Sequence, residues 1–231
     1  MTTPHGLIHP SSIYLSLIWL SAQLALSAPA EAQSAPANAN PAPQLMERSR
    51  EIALALSACP AAVADKAAVY VLEKSGYVKI RETENGFTAV VQHSLPGAQE
   101  PRCMDAEGTR THLPRILKVA ELRAEGKSPA EIQRFVADGF AKGTFQPPAR
   151  MGVDYMLSTE NLVPDAKGKV EPYPPHVMFY APYATNAQFG SDGNPAGPAF
   201  IAGEGTPHAV LIVPVAQHSG PMHGAAGKDP Q

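Results

Sequence analysis

Ala68–His93, AVYVLEKSGYVKIRETENGFTAVVQH, decides the fold. Apolar and polar side chains alternate through Ala68–Glu73, Tyr77–Glu84 and Phe87–His93, the pattern of half-buried strands, and Lys74-Ser75-Gly76 and Asn85-Gly86 supply turns between them. Asn-Gly favours the positive backbone angles of a two-residue hairpin loop. Pairing Glu84 with Phe87 across that loop sets Ile80 opposite Val91 and Val78 opposite His93, and leaves Lys79, Arg81 and Thr83 on the other face. The expectation is an antiparallel meander with one buried and one wet face.

Helical patterns flank the meander. Leu45, Ile52, Leu56 and Cys59 recur at helical spacing and stop at Pro60. Pro114–Glu125 carries Leu113, Ile116, Leu117 and Ala120 on one side and ends at Gly126. Ser128-Pro129-Ala130-Glu131 is a capping box with proline in the first turn, followed by the stripe Ile132, Phe135, Val136, Gly139 and Phe140 as far as Gly143. These two segments predict an αα-hairpin laid over the apolar face of the sheet. Leu95–Arg110 reads as loop; Val153–Leu157, Val177–Tyr180, Phe200–Ala202 and Ala209–Val213 read as short strands. The expected fold class is α+β: an antiparallel sheet of about six strands packed against an αα-hairpin, with an N-terminal helix, all within residues 45–216.

The chain has 231 residues, a formal charge of −3, 44% hydrophobic residues and 24 prolines. That is enough apolar material for one folded core and too much proline for long helices. Basic residues are scattered, without the clusters that bind nucleic acid or an anionic membrane surface. Ser158 sits in no G-x-S-x-G frame, and no glycine-rich phosphate loop occurs.

Residues 1–46 hold one ionisable acid, Glu31, and no Lys or Arg. Ile13–Leu26 is mostly apolar and precedes Ala30-Glu31-Ala32, so residues 1–32 read as a signal peptide cleaved before Gln33, although the usual basic residue is missing from its start. The apolar run falls short of the ~20 residues of a membrane span. The protein is therefore expected to be secreted or periplasmic, with no membrane span after cleavage. Residues 33–44 form a Pro/Ala-rich linker and 217–231 a tail without apolar periodicity. In an oxidising compartment Cys59 and Cys103 read either as a disulfide or as two unpaired thiols.

Two strands share an entry motif, Pro175-His176 and Pro207-His208, each followed by an apolar run. Imidazoles at neighbouring strand entrances are candidate zinc ligands or proton carriers, with Asp154, Glu160 or Glu204 as a third ligand; equally, they start strands at a polar rim. His93 and His112 are weaker candidates. Glu171–Tyr183, EPYPPHVMFYAPY, clusters Tyr173, Phe179, Tyr180 and Tyr183, as the lining of a groove for a small molecule, peptide or glycan or as core packing. Glu160 is offered by the polar loop Ser158–Asn161. Two functions remain: a non-enzymatic binding module without cofactor, and a metal-assisted hydrolase or lyase using zinc on His176 and His208.

YVKIRETENGFTAVVQ, EPRCMDAEG, GVDYMLSTEN, PYPPHVMFY and the closing PHAVLIVPV together resemble a family of small exported bacterial proteins of unassigned function, over about Ala53–Val215. The resemblance implies export and the domain boundary, and carries no reaction, cofactor or catalytic residue. It also implies a cysteine in the slot held here by Ala89 as the partner of Cys103, so a Cys59–Cys103 bridge departs from the family pattern.

Overall fold

The computed structural model describes residues 45–165 and 167–215. The signal peptide, the linker and the tail read from the sequence lie outside the described residues. Glu47 opens α1 (Arg48–Ser57), its carboxylate accepting from the Ser49 and Arg50 amides. After the single turn α2 (Ala61–Ala64) the chain enters β1 (Ala68–Glu73) and turns back at Lys74-Ser75 into β2 (Gly76–Arg81), pairing Glu73 with Gly76 and Leu72 with Tyr77. That hairpin is the one expected.

The next connection is not. β3 (Thr88–Gln92) does not pair with β2 but lies parallel to β1 on its other side, with Ala68 opposite Thr88 and Val69 opposite Ala89. Asn85-Gly86 turns the chain without making a hairpin. The Asn85 carboxamide accepts from the Phe87 amide and donates to the Val63 carbonyl, while the Glu84 amide donates to the Lys66 carbonyl, so the chain passes over the entrance of β1. Burial explains the choice. Thr88–Val91 is buried on both faces and needs an interior position, whereas Val78 and Lys79 of β2 are exposed and suit an edge.

β4 (Glu100–Met104) runs antiparallel to β3, inside the stretch expected to be loop. The helices α3 (Ala106–Thr111), α4 (Leu113–Ala124) and α5 (Pro129–Ala141) follow. The capping box is present: the Ser128 side chain and the Glu131 amide are bonded, and Glu131 reaches back to the Ser128 amide. β5 (Val153–Met156), β8 (His176–Tyr180), β9 (Phe200–Ala202) and β10 (Val210–Pro214) complete an eight-stranded sheet in the order β2-β1-β3-β4-β5-β8-β10-β9. A separate hairpin, β6 (Leu162–Pro164) and β7 (Val170–Pro172), and a 3-10 turn, Asn186–Phe189, were not expected. The fold is α+β with a mixed sheet, not a purely antiparallel one of six strands.

One face of β3 and β4 packs on α1 through Leu54, Ala55, Ala58, Ala89, Val91 and Cys103. Cys59 and Cys103 form a disulfide that ties the end of α1 to β4. On the opposite face Val90 and Met104 meet Leu113 and Ile116 of α4. α5 leans on α4 rather than on the sheet, burying Ile132 and Gly139 but leaving Phe135 38% exposed. Half of the helical hairpin therefore covers the sheet. The face that α4 covers continues past it across β5, β8, β10 and β9.

Candidate functional site

Strand register determines which residues share that uncovered half. Cα pairing runs Met104–Asp154, Asp154–Met178, Met156–His176, Ile212–Met178 and Ile212–Phe200, so these side chains, with Arg102 and Glu100 two and four residues back along β4, face one way. Over them lies a cavity of about 730 Å³, within the range of small-molecule sites. Its apolar floor is Met156, Met178, Phe200, Val210 and Ile212. Glu100, Arg102, His112 and Arg115 form one wall, with His176 and His208 also lining it, and the β6–β7 hairpin contributes Val163, Asp165 and Glu171.

Under the wall a chain of polar bonds crosses three strands. Arg102 Nε donates to Asp154 Oδ2 at 2.8 Å and its Nη1 to Gln92 Oε1 at 2.8 Å; Gln92 Nε2 donates to Glu100 Oε2 at 3.0 Å; and Ser94 donates to Glu100 Oε1. Arg102 and Glu100 are thus satisfied within the sheet. Their neighbours are not. Both ring nitrogens of His112, Nε of Arg115 and Nδ1 of His208 are buried without a partner among the described residues. The His112 ring is stacked on Tyr180, with centroids 4.7 Å apart, and His208 on Phe140 at 5.5 Å. Burial, reinforced by the nearby guanidiniums, pushes the His112 imidazole well below its ordinary pKa and that of His208 down to about 4, so both are neutral at pH 7. Burial also lowers Arg115, to about 10, where it is still a cation.

Of the residues singled out from the sequence, the fold brings His176 and His208 to the same cavity. His176 Nδ1 donates to the Pro174 carbonyl at 2.9 Å, and its ring meets the edge of Tyr173. Tyr180 lies beneath the site as packing: its hydroxyl donates to the Val153 carbonyl at 3.1 Å and its ring supports His112. Tyr183 lies outside the cavity lining, 58% exposed with a positive φ of 63°. Glu160 pairs with Arg50 on the surface, Glu204 binds the Asn186 amide, and Asp154 is engaged by Arg102. No group of three His, Cys, Asp or Glu side chains able to hold a metal ion occurs among the described residues. The zinc arrangement around His176 and His208 therefore lacks the third ligand expected for it.

Sequence reasoning passed over Arg115 and undervalued His112. Their separation by three residues places both on one helical face, the only signal available. Among the described residues the cavity lining contains no Ser, Thr, Cys or Lys, and its carboxylates, Glu100, Asp165 and Glu171, are each engaged by neighbouring groups. No described helix is long and apolar enough to cross a membrane. Comparison of the chain with family models, curated proteins and solved structures finds no match.

Proposed function

We propose that this protein is an exported, non-enzymatic binding module that takes a small molecule into the cavity over β5, β8, β10 and β9. The observation that carries this reading is the pairing of an apolar floor with polar groups that have no partner of their own. Unpaired buried polar atoms are costly in a folded protein, and a ligand that bonds them repays part of that cost on binding. An apolar floor with a few convergent polar groups is the common form of a small-molecule site. The engagement of the lining carboxylates Glu100, Asp165 and Glu171 by hydrogen bonds and an ion pair favours binding over nucleophilic catalysis. Export is supported by the apolar leader of residues 13–26 and by the Cys59–Cys103 disulfide, which suits an oxidising compartment.

The test uses the neutral fluorophore N-phenyl-1-naphthylamine and a cavity-filling substitution, Ala202→Trp, on β9. Saturable, blue-shifted binding to the natural sequence, reduced at least tenfold in Ala202→Trp at unchanged circular dichroism, is expected. Absence of saturable binding, or equal binding by the variant, overturns the reading. Mass spectrometry of the protein recovered from the periplasm or medium checks export: the expected N-terminus is Gln33, which leaves the mature chain without its one tryptophan, Trp19.

A further inference from the structure

Direct polar pairing along the cavity wall is uneven. Arg102 has Asp154 and Gln92 as partners. Glu100 spends both carboxylate oxygens on Gln92 and Ser94, and the acids of the β6–β7 hairpin are occupied too, Glu171 by Lys169 and Asp165 by the Lys167 and Lys169 amides. Arg115 alone among the lining's charged groups makes no ion pair or hydrogen bond among the described residues, and its Nε is buried. His112, 2% exposed, lines the same cavity and has two unpartnered ring nitrogens.

What the wall lacks is an acceptor. A guanidinium offers a planar fork of donors matched to two oxygens of one acid group, and a neutral imidazole adds a donor without adding a competing charge. Glu100 acts on Arg115 electrostatically without bonding it, so the guanidinium keeps a fork of donors free for one acid group. The floor of Met156, Met178, Phe200 and Ile212 offers nothing polar and suits a hydrocarbon or aromatic body.

We infer that the ligand is an amphipathic organic monoanion, its carboxylate or sulfonate head held by Arg115 and His112 and its apolar body lying on Met156, Met178, Phe200 and Ile212. This rests on the cavity being the ligand site proposed above. The head would give Arg115 its missing partner and the body would cover the floor, so one molecule answers both features.

The experiment compares two probes with the same ring body, 8-anilinonaphthalene-1-sulfonate and neutral N-phenyl-1-naphthylamine, by fluorescence titration of the natural sequence, Arg115→Gln and Arg115→Lys. Dodecanoate and dodecan-1-ol serve as a second matched pair in competition. The expected result is at least a tenfold preference for each anion, abolished in Arg115→Gln and partly kept in Arg115→Lys. Equal binding of anionic and neutral probes by the natural sequence overturns the inference while leaving the cavity as a site; so does a preference that survives Arg115→Gln. Saturable binding of neither probe overturns both. The comparison within the natural sequence stands even if the variants fold poorly.

Discussion

Arg102 on β4 and Asp154 on β5 form a buried ion pair under the cavity, with Nε donating to Oδ2 at 2.8 Å and the residues 6% and 0% exposed. Removing one partner of such a pair leaves an uncompensated charge in the interior, at a cost of about 3–5 kcal/mol. Asp154→Ala is therefore expected to lower the urea midpoint sharply. Replacing both partners with apolar residues, Arg102→Met with Asp154→Leu, removes the desolvation problem as well as the attraction, and is expected to recover most of the loss. Equal destabilisation by the single and double variants would show that the pair does not act as a unit.

The neutral imidazole of His208 makes stability depend on pH. In the unfolded chain a histidine takes up its proton near pH 6.5; in the fold, burial and then the Arg115 and Arg102 guanidiniums delay uptake until about 4. Between those values the unfolded state binds more protons, so stability is greatest above pH 6.5 and falls as the pH drops toward 4, by on the order of 2–3 kcal/mol for this group. Glu100, raised by burial, is protonated earlier in the fold than in the unfolded chain and works in the opposite direction. The informative quantity is the difference between the natural sequence and His208→Phe, whose ring can keep the stack on Phe140. Urea midpoints at pH 7 and pH 4.5 should show the larger acid loss in the natural sequence; parallel losses would remove His208 as the cause.

Sequence pattern exposed the elements whose faces are chemically distinct. The β1–β2 hairpin, the capped start of α5 and the stripe of α4 place polar and apolar groups with the period of their structure, and the strands entered by His176 and His208 stand out as apolar runs behind a Pro-His pair. It hid β4, because Glu100 and Arg102 look like loop residues until Gln92 and Asp154 arrive from β3 and β5 to satisfy them. Asn85-Gly86 misled for a related reason: its local turn preference is real, but the double-sided burial of Thr88–Val91 determines which strand is neighbour. At the site, two of the wall residues, His176 and His208, were legible from their shared entry motif. Arg115 was not, since a cation on an amphipathic helix ordinarily faces water.

Gly108 and Tyr180 couple α3 to the cavity wall. A Cβ at position 108 would collide with the Tyr180 hydroxyl and lie 2.7 Å from its Cζ, and Tyr180 carries the stacked ring of His112. Gly108→Ala must displace the tyrosine, an overpacking cost of about 1–3 kcal/mol. Gly108→Ala combined with Tyr180→Phe removes the hydroxyl and should relieve part of it. Thermal melts of the two variants test this, and a Gly108→Ala melt equal to that of the natural sequence would contradict the packing.

The Cys59–Cys103 bridge closes a loop of about 45 residues, and constraining such a loop in the unfolded chain stabilises the fold by about 4 kcal/mol on the chain-entropy formula. Ala89 stands directly opposite Cys103 across β3 and β4, and Cys59, Ala89 and Cys103 all belong to the core under α1. The Cys59–Cys103 bridge joins the end of α1 to β4, two layers rather than two strands of one sheet. Cys59→Ala with Cys103→Ala should lower the urea midpoint in proportion to that cost under oxidising conditions and leave it insensitive to reductant. Cys103 is fully buried and Cys59 8% exposed, so reduction of the folded natural sequence should be slow without denaturant and fast with it. Free thiols counted at two per chain in protein purified without reductant would refute the bridge and, with it, the structural support for export.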